Sequence, residues 1–102
     1  MLQQAAFAGS ARETAGRLIN EINNPKYFKR YANLIRVNRK YQLMNILEKA
    51  VNILGDEANL NWINTENIED MSHLFNNDLY MYFNGHIELW DVSNVTEMAC
   101  MF

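Results

Sequence analysis

Two histidines and one cysteine are the side chains best suited to ligating a metal or acting as a nucleophile, and their spacing supports neither role. His73 and His86 stand 13 positions apart, each without a cysteine or second histidine at ligand spacing. A zinc site draws on about four such ligands. Cys100 is the single cysteine. It has no intrachain disulfide partner, and no Lys, Arg or His beside it in sequence to lower its pKa. It reads as a small packing residue, and nothing in it argues for an oxidising compartment. The chain has no phosphate loop, nucleophile elbow or dinucleotide fingerprint. None of its carboxylates falls in an apolar pocket that sequence can identify. The expectation is a protein without catalytic residues, metal or cofactor. Asn94-Val95-Thr96 fits a glycosylation sequon and reads as turn chemistry inside a repeated phrase.

Charge is the stronger signal. Residues 1–50 hold all nine Lys and Arg against three Glu, a net +6, whereas residues 51–102 hold nine acids and no Lys or Arg, a net −9. Such asymmetry between halves points to interaction surfaces. The basic stripe is Lys26, Lys29, Arg30, Arg36, Arg39 and Lys40, with no acid between residues 22 and 47. Its partner would be an anion, nucleic acid included, and Tyr27, Tyr31 and Tyr41 are interleaved where they could stack on bases. A solvated helix face accounts for the same stripe, as does pairing of the basic segment with the acidic half, within one chain or between chains. The acidic face is Glu66, Glu69, Asp70, Asp78, Glu88, Asp91 and Glu97, which selects a basic protein partner and speeds its encounter.

Three helices are expected to position these charges. Ser10-Ala11-Arg12-Glu13 is a capping box, followed by Ala15, Leu18, Ile19 and Ile22 at helical spacing. Asn24 caps a second helix over about 25–37, with Pro25 at its first position. A third runs about 39–54, with Leu43, Met44, Ile46, Leu47, Ala50, Val51 and Leu54 as a broad apolar stripe and Gly55 as its end. No apolar run is long enough to cross a membrane. The N-terminus has no basic opening before a long apolar stretch, so no secretory signal is expected, and the expected location is cytoplasmic.

After Gly55 the chain repeats itself at an offset of 27. Asn94, Val95, Glu97, Met98, Met101 and Phe102 fall on Asn67, Ile68, Asp70, Met71, Leu74 and Phe75. A fixed period in this range marks stacked repeats. Apolar positions spaced 3, 3 and 1 suit a chain that turns around a core. The Asn, Asp, Ser and Thr between them form turns. Gly85 after Asn84 is expected at positive φ.

Phe83-Asn84-Gly85, Trp90-Asp91-Val92-Ser93-Asn94-Val95-Thr96, and Met98 with Met101-Phe102 resemble the recurring phrase of the BspA-like leucine-rich repeat family of bacterial surface proteins. The first copy keeps the Ile68, Met71, Leu74, Phe75 frame, and Ala58-Asn59-Leu60-Asn61 resembles the family's usual lead-in. The resemblance covers residues 58–102 and implies a strand-turn ladder with a binding role. The expected fold is α+β: a helical capping region over residues 1–55, with three helices closing the N-terminal end of a two-repeat solenoid over residues 56–102. The expected function is a non-catalytic protein-interaction module. Alternatives are a small viral or mobile-element protein, acting as an acidic nucleic-acid mimic or virion component, and nucleic-acid contact through residues 25–40. Met71 and Met98 are expected to stack in the core. The last repeat is expected to bury Val95, Met98, Met101 and Phe102 by self-association, making the chain a homo-oligomer.

Overall fold

A computed structural model describes residues 16–101. The Ser10 capping box, the residues before it and Phe102 lie outside the described residues. Helix α1 is described over 16–22. A single 3-10 turn follows at Pro25–Tyr27, then strand β1 (Ile35–Arg36), helix α2 (Lys40–Leu54), strand β2 (Ile63–Asn64) and a 3-10 turn at Asp78–Tyr80. β1 and β2 form a two-stranded parallel sheet, with Ile35 beside Ile63 and Arg36 beside Asn64. Two isolated parallel bridges, Asn59 with His86 and Asp70 with Glu97, join later parts of the chain.

This arrangement corrects the expected three-helix cap on a two-repeat solenoid. The protein is a small mixed α/β globule with two described helices and a two-stranded parallel sheet. The segment 25–37, expected as a helix, leaves the helical path within one turn. Asn24 accepts from the Lys26 N–H and starts only a 3-10 turn. Asn33 then takes φ 55, a left-handed conformation that asparagine tolerates and a helix does not. Beyond it, Ile35 and Val37 are β-branched and suit an extended path. Their N–H groups donate to the Trp62 and Asn64 carbonyls at 3.0 and 3.1 Å.

Helix α2 keeps nearly the bounds its pattern predicts. Gln42 serves its start by accepting from the Asn38 and Arg39 N–H groups at 2.9 and 3.1 Å. Gly55 ends it at φ 90, with its N–H on the Val51 carbonyl. Leu43, Leu47, Ala50 and Val51 are buried and share one core with Ile63, Ile68, Met71, Leu74, Phe75 and Trp90. That core draws on residues on both sides of Gly55.

Three polar residues are buried within this apolar setting, Asn59, Asn61 and Thr65. Burial of such groups is costly unless they are bonded, and all but the Asn61 Nδ2 group have a partner among the described residues. Asn59 holds the structure together locally. Its Nδ2 donates to the Ile22 carbonyl at 2.6 Å, its N–H to Asn23 Oδ1 at 3.0 Å, and its Oδ1 accepts from the Asn61 N–H at 2.9 Å. Asn23 Nδ2 also donates to the Leu54 carbonyl at 3.1 Å. The turn after α1 is thereby fixed to the end of α2 and to residue 59.

Gly85 is not at positive φ, in contrast to its expected turn role; among the described glycines only Gly55 is. Its constraint is space. The Asn84 and His86 N–H groups donate to the Asp56 and Ala58 carbonyls at 2.7 and 2.9 Å, drawing the two segments together. A Cβ at position 85 would overlap the Ala58 carbonyl oxygen and the Phe83 ring. Gly85→Ala is therefore expected to cost about 1–3 kcal/mol, the usual penalty for overpacking. Urea denaturation checks this, and an unchanged midpoint would mean that the close approach does not exist.

Candidate functional site

The basic stripe is carried by the 3-10 turn, β1 and the start of α2. Lys26 and Arg30 lie against the Tyr27 ring, with Nζ 5.6 Å and Cζ 5.1 Å from its centroid. Cation–π contacts of this kind hold both cations near the 3-10 turn, and Lys29 is exposed beside them. Arg36, Arg39 and Lys40 lie on β1 and at the start of α2, where two of them meet the acidic half of the chain. Arg36 pairs with Glu66. Lys40 Nζ lies 3.6 Å from Asp70 Oδ2 and donates to Ser72 Oγ at 3.1 Å. These pairs realise the in-chain form of the charge pairing that the sequence suggests. The three tyrosines have different surroundings. Tyr27 carries the two cations, and the Tyr31 hydroxyl donates to Glu21, which holds Tyr31 above its ordinary pKa. Tyr41 is exposed.

The acids divide by what satisfies them. Asp70 and Asp91 each head an Asp-x-Ser turn. Asp70 Oδ1 accepts from the Ser72 N–H and Oγ at 2.8 and 2.6 Å, and Asp91 Oδ1 accepts from Ser93 at 2.9 and 2.6 Å. The serine hydroxyl bond, followed by the backbone bond, holds both carboxyls below the usual range, because a bonded carboxylate is favoured in its charged form. Glu88 Oε1 lies 3.0 Å from His86 Nδ1. Glu69, Asp78 and Glu97 are exposed and have no cationic side chain in ion-pair range among the described residues. The two histidines are set apart: His86 packs on Phe28 with centroids 4.8 Å apart, and His73 contacts Asn76.

The parallel segments 69–75 and 97–101 carry the backbone of this region. The Met71, His73 and Phe75 N–H groups donate to the Glu97, Ala99 and Met101 carbonyls at 2.8, 3.1 and 2.7 Å, and the Thr96 and Glu97 N–H groups donate to the Glu69 carbonyl. His73 and Cys100, which occupy the same place in the two copies of the phrase, both take positive φ, 58 and 54. Their side chains therefore mark a shared tight turn.

Equivalent side chains fare differently on the two segments. Met71 is fully buried, but Met98 is 46 % exposed, which overturns the expected Met71–Met98 core stack. The reason is position: segment 69–75 lies between α2 and segment 97–101, whereas among the described residues nothing lies beyond segment 97–101. Val95 and Met101 pack against the core from one side. Of the residues expected to self-associate, Met98 is thus the exposed one, and Phe102 lies outside the described residues.

Sequence reasoning missed the Asn59–Asn23 tie and the buried Asn61, whose Oδ1 accepts from the Leu89 N–H at 2.8 Å. Two asparagines alternating with Ala58, Leu60 and Trp62 were the available signal. It also missed the exposed Leu34 and Ile35, which line an apolar groove of about 240 Å³ with Ile22, Tyr31, Leu54 and Trp62.

Among the described residues no helix is long and apolar enough to cross a membrane. No curated protein and no solved structure matches the chain. Residues 41–102, more than half of the chain, match the family described as "Mycoplasma protein of unknown function, DUF285", and the chain belongs to that family.

Proposed function

We propose that the chain is a non-catalytic protein-interaction module of the BspA-like repeat kind, which binds a partner with a basic surface through its acidic half. The observation that carries this reading is the set of acids left over after in-chain pairing. Arg36 and Lys40 engage Glu66 and Asp70, His86 lies against Glu88, and Glu69, Asp78, Asp91 and Glu97 remain exposed with no cation within 4.0 Å among the described residues. A surface of one sign steers an oppositely charged partner and excludes partners of like charge. The family match spans the whole acidic half.

The test is capture from the native source by the purified chain and by a variant carrying Glu69→Gln, Asp78→Asn, Asp91→Asn and Glu97→Gln. The reading expects a protein retained by the unaltered chain, released by salt and lost with the variant. Equal retention by both would overturn it. Salt-sensitive retention of nucleic acid that disappears on replacing Lys26, Lys29 and Arg30 would place the binding function on the basic turn instead.

A further inference from the structure

We propose that the cleft between α2 and the Asp78–Tyr80 turn receives a single lysine or arginine side chain of a partner protein. The cleft holds about 210 Å³. Pockets that enclose drug-sized ligands measure about 300–1,000 Å³, so this one suits one long side chain. The 3-10 turn forms one wall. Asn77 Oδ1 accepts from the Leu79 N–H at 2.8 Å and starts the turn. Tyr80 is thereby brought back against the core, where its ring meets Phe75 edge-on with centroids 5.2 Å apart. Met44, Asn45 and Glu48 line the cleft from α2.

The lining combines apolar side chains with one charge. Leu74 and Tyr80 are buried, Leu79 is half-buried and Met44 is exposed. Glu48 is the one charged residue of the lining. It is exposed, and it is in none of the ion pairs among the described residues. Lys49, its neighbour in sequence, lines two other hollows and not this one. Burial, and after it the nearby Glu48 charge, holds the Tyr80 hydroxyl above its ordinary pKa. The hydroxyl therefore stays neutral near pH 7, and its oxygen can accept from a cation. Exposed Asn45 adds an amide oxygen.

Such a lining selects among side chains. An acid would meet the Glu48 carboxylate at close range and be repelled. A purely apolar side chain would take water from that carboxylate without replacing it. Lysine and arginine carry a charged head on an apolar stem, which matches Met44, Leu74 and Leu79 along the stem and Glu48 at the head. The adjoining surface suits a protein. Met81 and Tyr82, next along the chain, are 65 % and 76 % exposed, and Met and Tyr are enriched at protein interfaces. The site rests on the reading of a basic protein partner and gives one of its cations a point of entry. Glu48 stands outside the four acids that carry that reading.

The test is a nuclear magnetic resonance titration of the isotope-labelled full chain. The probes are N-acetyl-lysine methylamide, its arginine and norleucine counterparts, and the free diamine 1,5-diaminopentane. Norleucine keeps the stem of lysine without the cation. The lysine or arginine probe is expected to shift the Leu74, Leu79 and Asn45 signals saturably, and to bind about tenfold more tightly than the norleucine probe. Glu48→Gln is expected to remove that advantage. Glu57→Gln, which changes an exposed acid outside the lining, is expected to leave it. The titration uses no native partner, so failed capture and failed cation binding are separate results. Any of four results would overturn the proposal: no saturable shift, equal binding of the norleucine probe, cation binding no weaker in Glu48→Gln than in Glu57→Gln, or tighter binding of the free diamine than of both peptide-like cations.

Discussion

Trp90→Ala is expected to lower the unfolding free energy by about 3–5 kcal/mol, the range for deleting a large buried aromatic side chain. Trp90 is 7 % exposed. Its ring packs near Phe75, with centroids 6.2 Å apart, and Phe75 in turn stacks on Phe83 at 4.9 Å and meets Tyr80 edge-on at 5.2 Å. Aromatic contacts of this kind add to the area they bury. Trp90 Nε1 also donates to the Leu60 carbonyl at 2.7 Å, tying segment 86–91 to segment 58–61. Trp90→Phe separates the two contributions. It keeps most of the apolar contact and removes only the indole N–H from the Leu60 carbonyl, which still accepts from the Ile63 N–H at 3.1 Å, so the expected loss is that of one hydrogen bond, about 0.5–1.5 kcal/mol. Urea denaturation of both variants measures this, and a loss under about 1 kcal/mol for the alanine variant would mean that the ring is not part of the core.

Leu47→Ala is expected to cost about 2–5 kcal/mol. Leu47 is fully buried on α2, in the same core as Ile63, Ile68, Met71 and Leu74. The surrounding side chains come from both a helix and the parallel segments, so they cannot close around the missing atoms without moving a whole element. A cavity is left. Met44→Ala on the exposed side of the same helix is the control, since Met44 is 40 % exposed and exposed sites change little. A loss below about half a kcal/mol for Leu47→Ala would show that α2 docks elsewhere.

The helix α2 and the offset of 27 were legible for good physical reasons. Fifteen residues with a wide apolar stripe and a terminal glycine leave few alternatives to a buried helix. The offset appears directly in the pairing of Asp70 with Glu97 and of Asn59 with His86. The architecture built on that offset was not legible. The segment 25–37 has helical spacing in Tyr27, Phe28, Tyr31, Leu34 and Ile35, and this periodicity misled. Buried Phe28 and Val37 lie on either side of exposed Leu34 and Ile35, a pattern set by β1 and its turn and not by a helical face. Parallel pairing of Ile35 with Ile63 is a long-range event, 28 residues apart, with no local signature in either strand.

The candidate site was legible as composition and not as geometry. The opposed charges of the two halves were plain, but which cation meets which acid was not. Arg36–Glu66 and Lys40–Asp70 depend on β1 running beside β2. A helix over 25–37 leaves those partners unassigned. The repeated phrase gives Met98 the same place as Met71 and so the same expected burial. Burial, however, depends on what lies beyond a segment, which a repeated phrase does not encode.

Amide hydrogen exchange of the dilute chain tests the pairing of segments 69–75 and 97–101, on which the acidic surface depends. The Met71, His73 and Phe75 amides, which donate to the Glu97, Ala99 and Met101 carbonyls, should exchange slowly. The Met98 and Cys100 amides, which lack a backbone partner among the described residues, should exchange near the unprotected rate. Exchange of all five amides at one fast rate would contradict the pairing and the surface derived from it.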